Sequence, residues 1–131
     1  MEAVNALMDA LEIRELAGRR PAGLPRGARW KAELARALVL APAVLIIESP
    51  LDGVDAESRG QILKLLRRRR EEDGMAVVVA GPDVVPFLPV IDRALVLEGG
   101  RIIGAIPRAS LEDPRIFSDR ARLLGGLERS A

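Results

Sequence analysis

Four apolar residues, Val44-Leu45-Ile46-Ile47, run straight into a carboxylate, Glu48. Ser49-Pro50 and the turn Asp52-Gly53-Val54-Asp55 follow. An apolar run ending in an acid predicts a buried parallel strand that delivers the acid to the carboxyl edge of a sheet. In open α/β sheets that edge is where ligands bind. Three more acids, Asp52, Asp55 and Asp83, are expected near the same edge, and hard carboxylate oxygens suit Mg²⁺. Each of the three has a simpler role: Asp52 forms a turn, Asp55 caps the next helix, and Asp83 caps the segment after it. A metal site built from all four is therefore the weaker reading.

Composition removes several chemistries. With no histidine and no cysteine, the chain lacks the usual general base, the usual zinc ligands, thiolates and disulfides. An aromatic content of 2% argues against base-stacking platforms for single strands. A net charge of +1 gives no strong field toward nucleic acid or acidic lipid. The run Arg67–Arg70 is followed at once by Glu71-Glu72-Asp73, so it reads as a solvated helix end whose cations complement the dipole. At 131 residues and 49% hydrophobic content, one domain with a real core is expected rather than a disordered chain. No apolar run reaches membrane-spanning length, and Glu2 and Asp9 interrupt any signal-like opening. A cytoplasmic location is the expectation.

The elements that must position these residues follow from periodicity. Val4, Leu7, Met8 and Leu11 recur at helical spacing and predict a helix over 3–16. A Pro/Gly/Arg-rich connection spans 18–27, and a second helix spans 29–40, ended by Ala41-Pro42. The strand 44–47 comes next, then a helix over 56–72 with Asp55 as its cap. A second buried strand covers 75–80, and a Pro-punctuated segment covers 82–89. Residues 93–97 and 101–106, joined by Glu98-Gly99-Gly100, predict a β-hairpin, and a helical tail begins at Ser110. Strand, helix, strand in that order implies a right-handed βαβ unit.

Several motifs fall in one order along this frame. VLIIESPLDGVD resembles the Walker B and D-loop segment of ATP-binding-cassette (ABC) ATPases, four apolar residues then D-E-P-x-x-G-L-D. Pro50, Gly53 and Asp55 fix the register, which puts Glu48 at the Walker B Asp position and Ser49 at that of the catalytic Glu. Leu24-Pro25-Arg26-Gly27-Ala28 resembles the signature L-S-G-G-Q, and Leu34-Ala35-Arg36-Ala37-Leu38 its helix. Pro25 replaces the Ser and carries neither hydroxyl nor N–H, Arg26 replaces the first Gly, and Ala28 replaces the Gln. Arg26 and Arg29 could still meet a phosphate as charges, but the favoured reading of 24–28 is a turn entering a helix. VVVAGPD places Pro82 at the switch-His position, with Asp83 after it. Residues 91–102, IDRALVLEGGRI, are similar to the family's A-D-R-V-L-V-L-x-x-G-R-I. Each motif alone is weak, but their order and spacing together are specific.

The resemblance runs from about residue 4 to about 106 and implies an α/β fold. It would be a partial P-loop NTPase domain of the ABC type, with a parallel βαβ core, an N-terminal helical subdomain and a C-terminal β-hairpin. It implies one domain with a helical and signature part over 1–41, a core half over 42–106 and a helical tail over 107–131. No G-x-x-x-x-G-K-[ST] occurs in the 131 residues, so the backbone cradle for phosphates is not among them. In the family that loop's strand lies between those matching 75–80 and 93–97, so an exposed strand edge and a need for a partner are expected. ATP and Mg²⁺ are the cofactors implied, with Glu48 as the metal-side acid, Leu24–Ala28 facing a partner's nucleotide and Asp55 at the dimer seam. The implied partners are a functional ABC ATPase subunit, or the missing N-terminal half, and a membrane permease.

The expected role is a non-hydrolysing structural or regulatory subunit. The alternatives are a working half completed by a separate Walker A chain, or a decayed fragment with no role of its own. Asp113-Pro114-Arg115-Ile116-Phe117 is similar to a segment of ATPases of lipid-transport systems.

Overall fold

The structure is a computed structural model and describes residues 1–48, 51, 53–81 and 85–111. The chain divides into two compact units, Met1–Pro82 and Asp83–Ala131.

In the first unit, helix α1 (Glu2–Ala10) packs on α2 (Arg26–Leu38), and α2 packs on α3 (Ala56–Asp73). Strands β1 (Val44–Glu48) and β2 (Ala76–Ala80) flank α3 in sequence and pair in parallel, Val44 opposite Ala76 through Glu48 opposite Ala80. This is the expected βαβ unit. The core gathers Leu7, Leu11 and Ile13 with Leu34 and Leu38 of α2, Ile62, Leu65 and Leu66 of α3, and Leu45 and Ile47 of β1. β1 alternates exposed and buried, so Leu45 and Ile47 face the core while Val44 and Ile46 do not.

Helix boundaries depart from the sequence reading in two places. α1 stops at Ala10 rather than Leu16. The amide of Ile13 donates to Met8 O at 2.9 Å and that of Glu12 to Asp9 O at 3.0 Å, a Schellman closure with Glu12 at φ 54. The closure turns Leu11 and Ile13 into the core, and Arg14–Leu16 form a separate 3₁₀ turn. α2 begins at Arg26, three residues before the expected start, with Pro25 just outside it and Arg29 N–H bonded to Pro25 O. The Pro/Gly-rich stretch therefore supplies the first helical turn. The helix over 56–73 forms as expected, with Asp55 at its N-cap.

In the second unit, β3 (Arg93–Glu98) and β4 (Arg101–Pro107) form the expected antiparallel hairpin, with a bulge after Val96. α4 (Arg108–Leu111) follows. Ile106 and Leu111 are buried together, with Leu88, Ile91, Ala94 and Val96 packed against them.

Candidate functional site

β1 carries Glu48 to the carboxyl end of the parallel pair, where its side chain is exposed. The chain then turns on two buried anchors. Leu51 and Val54 are 2% and 4% exposed, and Val54 N–H closes the turn on Leu51 O at 3.1 Å. Leu51 itself sits at φ 63, a strained position for a branched side chain. Asp55 ends the turn and starts α3, its Oδ1 accepting the Ser58 N–H at 2.8 Å. The bonds from Ser58, backbone first and hydroxyl second, hold the Asp55 carboxyl below its ordinary value, and the Lys31 charge adds to this.

α2 meets this turn end-on. A Cβ placed on Gly27 would lie 2.7 Å from Asp55 Oδ2 and 3.0 Å from Ser58 Oγ, so only glycine allows the two helix starts to touch here. One residue earlier, the Arg26 side chain lies along Gly53, which sits at φ 68; a Cβ there would be 3.1 Å from Arg26 Cδ. One turn further along α2, Lys31 is buried, in line with Gly27, Leu34 and Leu38. The result is one cluster made of the starts of α2 and α3 and the turn between Leu51 and Asp55.

Of the residues singled out from sequence, the structure brings Gly27, Arg26, Gly53, Val54 and Asp55 together. Leu24 is buried, Pro25 is the exposed cap residue, and Ala28 is half-buried in the first turn of α2. Glu48 lies at the same end of the sheet. Ser49, Asp52, Pro82, Asp83 and the segment 113–117 fall outside the described residues. Among the described residues no group of three or more acidic side chains is placed to hold a metal, and no helix is long and apolar enough to cross a membrane.

Two contributors escaped the sequence reading. Ser58 binds the cap twice over, and Lys31 places a buried cation beside it. The signal for Lys31 was present: it stands four residues after Gly27 and three before Leu34, on the buried stripe of α2. Arg67, Arg68 and Arg69 pair with Glu71, Glu72 and Asp73 at 2.6–2.9 Å, each four residues apart on α3. Glu72 raises the pKa of Arg68 through its hydrogen bond and charge. Three of the run's arginines are thus paired along their own helix, with Arg67 and Arg68 exposed, as expected of a solvated helix end.

The chain is similar to known proteins in sequence and in fold. The chain is 37% identical over 115 residues to the spermidine/putrescine import ATP-binding protein of Frankia alni, covering 87% of this chain and 25% of that protein. It is 31% identical over 115 residues to the aliphatic sulfonates import ATP-binding protein of Pseudomonas fluorescens, covering 88% and 42%. Among solved structures, cbiO1 from Clostridium perfringens, part of an ABC transporter complex, superposes with a TM-score of 0.71 at 23% identity, over 93% of this chain and 51% of that one. No family model matches the chain. The chain spans 25–42% of the length of these two curated relatives.

Proposed function

The chain belongs to the family of ABC transporter ATP-binding subunits, and we propose that its residues serve a transport assembly as a structural or regulatory element that does not itself hydrolyse ATP. The observation that carries this is the start of α2. Its cap is Pro25, which offers neither hydroxyl nor N–H, and its first side chain, Arg26, lies along Gly53. The buried Gly27 backbone next to it faces the Asp55 carboxylate, which repels a phosphate rather than binding it. Ser49 and Pro82, at the positions of the family's base and switch histidine, cannot accept a proton from water or sense a γ-phosphate. Glu48 contributes a single exposed carboxylate, which suffices for Mg²⁺ only alongside bound phosphates, and no phosphate-cradling loop is among the 131 residues. On their own these residues do not fit an ATP–Mg²⁺ site, and no catalytic step is assigned to them.

On this reading the partners are an intact ATP-binding subunit and a permease, and the chain works on the cytoplasmic side of a membrane. The curated relatives are named for importing different solutes, polyamines in one case and sulfonates in the other, so no solute is assigned.

The test is titration calorimetry with ATP–Mg²⁺, first on the chain alone and then on its mixture with an intact ABC ATP-binding subunit, together with ATP turnover by the mixture. The expected result is no heat from the chain alone and a changed affinity or turnover in the mixture. Micromolar binding by the chain alone would overturn the proposal. Turnover that appears only with a separate Walker A-bearing chain would assign the residues to an active split enzyme instead.

A further inference from the structure

The ends of α2 and α3 and the starts of β1 and β2 enclose a cavity of about 430 Å³. It lies at the opposite end of the parallel pair from Glu48 and the turn that follows it, and its lining residues all belong to the first unit. Leu38 and Met75, both buried, give it apolar walls together with Ala41, Pro42 and Ala43. Arg69 and Asp73, one turn apart at the end of α3, are its charged lining residues. A mostly apolar cavity of a few hundred Å³ with few polar groups is the form that small-molecule sites take.

Much of the backbone around the cavity is already committed. Ala41 N–H donates to Leu38 O at 3.0 Å, Met75 N–H donates to Arg69 O at 3.3 Å, and Ala43 O accepts from Ala76 N–H at 2.9 Å. Pro42 has no N–H to offer. Polar recognition therefore falls to the two charged side chains. Arg69 Nη1 donates to Asp73 Oδ2 at 2.6 Å, which uses one of the guanidinium's several N–H donors and one carboxylate oxygen. The two side chains are 31% and 47% exposed, and pairs of this kind hold weakly enough to admit a third partner.

The two charges select the occupant. A simple anion meets Asp73 as a like charge, and a simple cation meets Arg69 as one. A molecule that carries both charges close together satisfies both side chains. Its carboxylate takes the guanidinium donors left over, and its ammonium lies against the Asp73 carboxylate. α2 and α3 both end here, and the partial negative charge of a helix C-terminus adds to the pull on the ammonium. An aliphatic chain on the same molecule then covers the apolar walls. We infer that the cavity at the ends of α2 and α3 binds a zwitterionic amino acid with an aliphatic side chain. The site shares no residue with the Glu48 end of the sheet, so the inference stands whether or not the chain ever meets nucleotide.

Met75 reports on the cavity, because it alone of the three methionines, Met1, Met8 and Met75, lines it. The probe is L-norleucine, titrated against the intact chain by calorimetry and by methyl NMR of isotope-labelled methionine. Saturable binding with a Kd of about 1 mM or tighter is expected, with the Met75 signal moving and those of Met1 and Met8 staying in place. Hexanoate lacks the ammonium and pentylamine lacks the carboxylate, and each should bind about tenfold more weakly. Asp73→Asn should weaken norleucine binding several-fold and make hexanoate bind better than it does to wild type. Arg69→Gln should weaken norleucine binding likewise and favour pentylamine instead. A general loosening of the fold does not move the two selectivities in opposite directions. Ala43→Phe, at an exposed position on the cavity wall, should fill the space and abolish binding while circular dichroism shows the fold intact.

Absence of saturable norleucine binding at about 1 mM overturns the inference. Equal affinity for hexanoate or for pentylamine removes one charge from the assignment and overturns it as stated. Binding that leaves the Met75 signal in place puts the ligand elsewhere and overturns the site. Selectivity unchanged in both charge variants would mean that Arg69 and Asp73 do not recognise the ligand, which also overturns it.

Discussion

Two helical glycines, Gly27 in α2 and Gly60 in α3, should respond to the same substitution with opposite signs. In an isolated helix, glycine to alanine gains up to about 1 kcal/mol through backbone entropy. Gly60 has nothing within 4 Å of its would-be methyl, so Gly60→Ala should realise most of that gain. At Gly27 the methyl would stand 2.7 Å from Asp55 Oδ2, 3.0 Å from Ser58 Oγ and 3.3 Å from Ser58 Cβ. These atoms cannot swing aside freely. The Asp55 carboxylate is tied to the Ser58 amide, and Ser58 is itself buried in α3. Relief requires that the cap break or that α2 lift off α3, and overpacking of this kind costs about 1–3 kcal/mol. After subtracting the full propensity gain, Gly27→Ala should destabilise by roughly 0–2 kcal/mol. Thermal unfolding followed by circular dichroism should show Tm falling by up to several degrees for Gly27→Ala and rising by a few for Gly60→Ala. Combining Gly27→Ala with Asp55→Ala should cost less than the sum of the two single changes, since the second removes the atom struck by the first. A Gly27→Ala protein that melts above wild type would refute the contact between the two helix starts.

Three further outcomes follow from the same cluster and core. Because the Asp55 carboxyl is held below its ordinary value by Ser58, its contribution to stability should be complete above about pH 5 and should fade as the pH falls through its depressed native value. The Tm gap between wild type and Asp55→Ala should therefore be constant from neutral pH to about 5 and shrink in stronger acid, and a gap that persists at about pH 2 would disprove the linkage. Lys31→Met keeps the buried volume but removes the cation, so the acid unfolding midpoint should move up, and an unchanged midpoint would mean that Lys31 does not act on Asp55. Ile62 is fully buried, and Ile62→Ala should cost about 2–4 kcal/mol in urea unfolding, with less than 1 kcal/mol excluding it from the core.

The sequence made the βαβ unit and the hairpin readable because their signals are local and agree with one another. Apolar runs at 44–47 and 75–80 enclose an amphipathic stretch that opens on a capping aspartate, and Gly99-Gly100 marks the reversal between two apolar strands. The helix ends were less readable. The left-handed closure of α1 rests on Glu12, a residue type that rarely takes that conformation, and Gln61 Nε2 bonds its carboxylate at 2.6 Å from a helix 49 positions away. No local pattern announces such a partner. The early start of α2 was hidden for the opposite reason. Pro25 and Gly27 signal a loop, yet a proline just outside a helix and a glycine in its first turn are both compatible with helix, and Gly27 is there because α3 lies against it. Lys31 was hidden by its charge, since a lysine is expected in solvent until the stripe it belongs to is seen to be the packed one.

The same strands that make the chain recognisable carry an exposed apolar strip on one face. A parallel pair is ordinarily covered on both faces. Here Leu45 and Ile47 are buried on one face, while Ile46 is 70% exposed, Val44 53% and Val78 49% on the other. The register sets Ile46 opposite Val78 and Val44 opposite Ala76, so these side chains form one contiguous apolar strip rather than scattered residues. Dye binding to exposed apolar surface should therefore fall when Ile46, the most exposed residue of the strip, is changed to threonine, a β-branched residue that keeps the strand. An unchanged dye signal for Ile46→Thr would mean that the strip is not the apolar surface the dye meets.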